Sequence, residues 1–137
     1  MGHHWYSTIG RDPLFSFGYG LGYGCADITD VVATSAYDVE CTVTNIGDRD
    51  AVEVVQVYAH QLDRDDLPRD EPDQRLVGFA KVSAPAGSSQ RIHIALDPDG
   101  HRRWDLEQSA WTVPAVRHEL RIGRSATDIV ARVEVQS

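Results

Sequence analysis

Tyr37-Asp38-Val39-Glu40-Cys41-Thr42-Val43-Thr44 is the stretch on which the fold turns. Its odd positions are apolar and its even positions polar, the period-two pattern of a strand with one face in a core and the other in water. Asn45-Ile46-Gly47-Asp48 follows as a turn. The next run, Val52 to Ala59, is apolar on both parities around Glu53 and Gln56, which predicts a strand in the middle of a sheet. Working outward, Arg75 to Val82 reads as another strand, closed by Pro85-Ala86-Gly87. Ile92, Ile94 and Leu96 alternate with polar or small neighbours until Asp97-Pro98-Asp99-Gly100, where proline ends the ladder and Asp-Gly favours a tight turn. Trp111 to Val113, then His118, Leu120 and Ile122, then Ile129, Ala131, Val133 and Val135 supply three more strands. No segment holds a 3.6-residue apolar period over three turns, so helix should be minor and the chain an all-β sandwich.

The start of the chain reads differently. Six of its 11 glycines precede residue 25, and between them lie Trp5, Tyr6, Phe15, Phe17, Tyr19 and Tyr23. A glycine-interrupted arm cannot form its own core, so these rings need a partner surface or stay exposed. They are the candidate docking or sugar-contacting residues. Trp104 and Trp111 are instead expected to plug the sandwich core, because aromatic rings mostly supply buried area.

The 137 residues fit one domain, and the 42% hydrophobic and 25% charged composition is that of a soluble globular protein. A net charge of −8 argues against binding nucleic acid or anionic lipid. No apolar run reaches the roughly 18 residues of a membrane helix, and no basic start with an apolar run suggests a signal peptide. The expectation from this chain is therefore no membrane association and a cytoplasmic location by default.

Little in the sequence resembles catalytic chemistry. Cys41 belongs to the alternating strand and is expected to be a buried free thiol. In a hairpin turning near Thr34 to Tyr37 it would face a residue around Asp30, too far from Cys25 for a disulfide. His3 and His4, adjacent on an extended chain, would point to opposite sides and chelate poorly. His60, His93, His101 and His118 lie in separate segments, so no metal site is expected. The loop from Asp63 to Asp73 holds six acids and two bases but lacks the glycine and glutamate positions of an EF-hand, and reads as a solvated connector. The glycine run Gly18 to Gly24 neither follows a buried strand nor opens a helix, so it is no dinucleotide fingerprint. No cofactor is implied.

Pro13-Leu14-Phe15-Ser16-Phe17-Gly18-Tyr19-Gly20-Leu21-Gly22-Tyr23 resembles the PLFPFGxGLSY junction of glycoside hydrolase family 3 enzymes. Four further stretches follow that family's pattern in order. Thr44-Asn45-Ile46-Gly47 with Glu53-Val54-Val55-Gln56-Val57-Tyr58 is similar to TNxG…EVVQxY. Leu76 to Val82 is similar to LxGFxKV, Trp104-Asp105 with Trp111-Thr112-Val113 to WD…WxV, and Ile122 to Ile129 to xVGxSSxDI. The resemblance implies an immunoglobulin/fibronectin type III-like antiparallel β-sandwich over residues 25–137. Residues 1–24 would then be an extended N-terminal arm that ends the preceding α/β-sandwich domain and links it to this one.

The same resemblance implies a non-catalytic accessory domain of an enzyme hydrolysing β-glucosides or β-xylosides. Such hydrolysis needs two positioned carboxylates, and the family places its nucleophile on a (β/α)8 barrel of roughly 250 residues, which 137 residues cannot contain. No acid here matches either catalytic motif, so the chain alone should be inactive. The implied partners are the catalytic domains of a family 3 enzyme, which the domain would brace and to whose active-site rim it would lend a loop. Self-association through the arm is a further expectation. The rivals are a carbohydrate-binding module and a protein–protein adaptor acting through the arm. Buried Trp104 and Trp111 would favour the brace, whereas a binding module calls for exposed, coplanar rings.

Overall fold

The computed structural model describes residues 2–62, 72–113 and 117–136, apart from the side chains of Ser7 and Thr8. Among the described residues a short helix, α1 (His3–Thr8), precedes nine strands: β1 (Ala26–Ser35), β2 (Asp38–Asn45), β3 (Ala51–Gln61), β4 (Arg75–Ala84), β5 (Ser89–Ala95), β6 (Arg103–Asp105), β7 (Ala110–Thr112), β8 (Arg117–Gly123) and β9 (Ile129–Gln136). They form a three-stranded sheet ordered β1-β2-β5 and a four-stranded sheet ordered β4-β3-β8-β9, with β6-β7 as a separate hairpin. All pairings are antiparallel. This is the all-β sandwich the alternation predicts. No helix among the described residues is long and apolar enough to cross a membrane.

The core lies between the two sheets. Val39, Cys41 and Val43 of β2 and Ile94 of β5 pack toward Val55, Val57 and Ala59 of β3 and Leu120 and Ile122 of β8. β3 sits between β4 and β8, as its two-sided apolar run predicts. In the β1–β2 register a bulge between Thr29 and Val32 stands opposite Cys41, while Cys25 lies beyond the end of β1. Both thiols are free, and burial pushes the Cys41 thiol up from its ordinary value.

Two local devices close the sandwich. Asn45 is fully buried, and its side-chain amide donates to the Arg49 carbonyl at 2.7 Å and the Ala84 carbonyl at 2.8 Å, while its Oδ1 accepts the Gly47 N–H at 2.9 Å. One side chain thus stitches the β2–β3 turn to the end of β4. At the opposite corner, the Leu96 N–H donates to Tyr37 and the Asp97 N–H to Val77, tying the chain after β5 to both sheets. The Asp97-Pro98-Asp99-Gly100 stretch forms a 3-10 turn over Pro98–His101 and not a simple tight turn. Asp97 caps it through the Asp99 N–H, and the proline occupies its first turn, where a missing N–H costs nothing.

Candidate functional site

Alternation along β3 sends Val55, Val57 and Ala59 inward and Gln56, Tyr58 and His60 to the outer face of the four-stranded sheet. Gln56 and Tyr58 are nevertheless buried. The Gln56 amide nitrogen donates to the carbonyls of Gly18 at 3.1 Å and Arg124 at 2.7 Å, and its Oε1 accepts the Tyr58 hydroxyl. Burial holds that phenol protonated, its pKa pushed up to about 12. The N-terminal segment is therefore fastened to the sandwich from beneath.

Two further contacts reach the same segment from the β8–β9 turn. The Ala126 N–H donates to the Phe17 carbonyl at 2.9 Å, and the Ser16 hydroxyl donates to that of Ser125 at 3.1 Å. The turn is itself braced. Ser125 Oγ accepts the Asp128 N–H at 3.0 Å, Gln74 donates to the Ala126 carbonyl at 2.7 Å, and Arg124 pairs with Asp128 while reaching the Ala26 carbonyl at 3.0 Å. Gly18 has φ +78°, and a Cβ there would lie 2.0 Å from Gln56 Oε1. Only glycine fits that approach.

Upstream of this clasp the arm folds back on itself. His3 stacks on Phe17 with ring centroids 4.1 Å apart and planes 13° apart. The extended-chain expectation for His3 and His4 is overturned. Both lie in α1, whose rise brings successive side chains around one short turn, and their rings are 3.9 Å apart at 40°. Six residues make a marginal helix by themselves. Between α1, the Arg11–Pro13 stretch and the sheet is a cleft of about 290 Å³. On its sheet side Arg121 reaches Glu119 at 2.6 Å and Asp73 and Gln74 at 3.0 Å. Burial opposes the charge on Glu119, but hydrogen bonds from Arg121 and Arg132 hold its carboxyl below the usual carboxylate range.

Of the six candidate rings, Trp5, Tyr6, Phe15 and Tyr19 are about half to two-thirds exposed, and Tyr23 is 99% exposed. Phe17 is the most covered, through His3 and the clasp. Phe15 and Tyr19 face one another at 5.3 Å. Leu14 and Leu21 add to this exposed apolar set, as does Phe79 on β4, which pairs with Gln56 on the same outer face.

The core expectation for Trp104 and Trp111 is corrected. They are 47% and 61% exposed and meet edge to face across the β6–β7 hairpin, 5.7 Å apart at 76°. The hairpin joins neither sheet, so its alternation points nothing into the sandwich core. The scatter of histidines is corrected in part too. His101, the last residue of the 3-10 turn, and His118, on β8, are both buried with ring centroids 5.0 Å apart. The Tyr37 ring edges against His101 at 5.3 Å. Burial first, and His118 beside it second, lower the His101 pKa to about 4 against a smaller opposing pull from Asp97. Neither His101 nitrogen has a hydrogen-bond partner among the described residues, and no cluster of three metal-ligating side chains occurs among them. Of the charged loop, Asp63 to Glu71 lie outside the described residues.

Residues 53–126 match the fibronectin type III-like domain family. Over 98% of its length the chain is 36% identical to the exo-alpha-(1->6)-L-arabinopyranosidase of Bifidobacterium longum. It superposes with a TM-score of 0.89 and 34% identity on a GH3 beta-glucosidase of Bifidobacterium adolescentis, covering 99% of this chain and 20% of that one. A beta-glucosidase of Streptomyces venezuelae, solved with D-glucose, gives a TM-score of 0.88 at 31% identity, covering 99% of this chain and 18% of that one. The chain spans 18% of the length of the arabinopyranosidase it matches.

Proposed function

The chain belongs to the fibronectin type III-like domain family, and on that premise we propose that it is a non-catalytic accessory domain of a family 3 glycoside hydrolase, bracing the catalytic domains through its arm and the adjoining sheet face. The observation that carries this reading is the exposed apolar set Leu14, Phe15, Tyr19, Leu21 and Tyr23 along the arm, together with Phe79 on the outer face of the four-stranded sheet to which the arm is fastened. Apolar surface of that extent on a small domain is what an interdomain contact covers. The parent's substrate class follows its relatives: a β-glucoside, β-xyloside or α-L-arabinopyranoside.

The test has two arms. The chain alone, assayed on aryl glycosides of those three classes, should give no turnover. Added to the Bifidobacterium adolescentis enzyme truncated of its matching 20%, it should raise that fragment's Tm and activity. Turnover by the chain alone overturns the non-catalytic reading, and failure to affect the fragment overturns the brace.

One observation favours carbohydrate binding as a second reading: Trp104 and Trp111 are exposed. At 76° they offer one stacking face and not a coplanar platform. Retention of the wild-type chain, but not of Trp111→Ala, on an immobilised β-glucan would carry it. Self-association through the arm is a proposal of the same apolar surface, and a mass by light scattering that rises with concentration would support it.

A further inference from the structure

We propose that Gln56 is a latch, with Gly18 as its keeper, that locks the arm to the sandwich so that the two move as one body. Gln56 is the only polar side chain between Val54 and Val57, in a strand that is otherwise apolar there. A buried amide in such a strand is costly unless its groups are paired. Here both amide hydrogens and the oxygen are used, and two of the three bonds hold the arm or the turn that holds the arm. The amide cannot be flipped, because its oxygen would then face the two carbonyl oxygens of Gly18 and Arg124 with no donor between them.

What the latch recognises is backbone. Gln56 takes the Gly18 carbonyl, and Ala126 takes the Phe17 carbonyl. Phe15 and Tyr19 of the arm are thereby left outward. At position 18 the latch requires glycine, through the 2.0 Å approach and the positive φ. On the bracing reading, this makes Gln56 a positioning residue: it sets the angle at which the arm, and whatever it carries, leaves the sandwich. The latch itself does not depend on that reading.

Amide exchange on the full chain tests it. The Ala126 N–H, bonded to Phe17, reports arm docking, and the Tyr19 N–H, bonded to Ser16, reports the turn that the arm holds while docked. The Val57 N–H, on the same strand as the latch, reports the sheet. Gln56→Met keeps the length of the side chain and removes both donors, and Gly18→Ala removes the keeper from the arm's side, its Cβ meeting the end of the Gln56 side chain while every strand residue keeps its identity. Each should speed exchange at Ala126 and Tyr19 at least tenfold while leaving Val57 protected, and should expose the Phe15–Phe17 bonds to chymotrypsin. Unchanged exchange at Ala126 in a folded Gln56→Met overturns the latch. If that variant does not fold, Gly18→Ala decides alone by the same criterion. Failure of the brace shows as no effect on the truncated enzyme by wild-type chain, an outcome separate from either exchange result.

Discussion

The two sheets carry very different outward faces. On the three-stranded sheet the outward residues pair across the strands: Glu40 takes Arg91 at 2.8 Å, Asp38 takes His93 at 2.8 Å, and Thr44 shares a hydrogen bond with Ser89 at 2.8 Å. In the register Glu40 stands opposite His93 and Asp38 opposite Ala95, so each carboxylate reaches one rung diagonally. On the four-stranded sheet, Gln56 reaches the arm, the Tyr58 hydroxyl donates to Gln56, and Phe79 faces outward, two-thirds exposed. A face whose polar groups satisfy one another is finished in water. A face that buries amides under a foreign segment and leaves rings beside it is built to be covered.

The strongest way to break that contrast is to empty the outer face beneath the arm. Tyr58→Ala should cost about 3–5 kcal/mol in urea denaturation, the range for removing a buried ring. A cost below about 1 kcal/mol would mean that the four-stranded outer face is no more structural than the other. Acid offers a second, slightly smaller blow. His101 folds neutral with a pKa near 4 against an ordinary 6.5, so the unfolded chain takes up its proton first as pH falls. Stability should be fully present above pH 6.5 and decline down to about pH 4, by on the order of 3 kcal/mol in all. The decline should be nearly absent in His101→Phe, and an equal decline in that variant would place the acid sensitivity elsewhere.

Tyr58→Phe sharpens the comparison by keeping the ring and deleting only the hydroxyl. It should cost about 1–2 kcal/mol, because Gln56 Oε1 loses its donor in a buried site. Its Ala126 amide should stay protected, since the bond to Gly18 survives. The smallest effect belongs to the three-stranded face. Arg91→Ala removes an ion pair whose partners are 53% and 36% exposed, and should cost under about 0.5 kcal/mol, less still in high salt. A cost rivalling Tyr58→Phe would erase the distinction between the faces.

What could be read from the chain beforehand follows from how local each signal is. Val39, Cys41 and Val43 alternate within one strand, so their burial and even the residue opposite Cys41 were legible. Trp104 and Trp111 alternate just as well, but whether a hairpin lies in a sheet or beside it depends on pairings far along the chain, and there the reading failed. His101 and His118 are brought together by topology alone, across 17 positions of sequence. The clasp has its own signal in the sequence: Gln56 stands polar between Val54-Val55 and Val57, in the most apolar part of its strand, and such a residue must bond something buried. Nothing nearby in sequence could name Gly18 as that something.

The short tether between clasp and sandwich has a kinetic consequence. Only Tyr19 to Cys25 separate Gly18 from β1, so an arm that springs open stays at an effective concentration near millimolar around its own hub. A second molecule at micromolar concentration competes at a disadvantage of about a thousandfold. Exchange of arms between copies is therefore suppressed by proximity and not by affinity. It becomes appreciable only where chains fold crowded together, before each has found its own glycine.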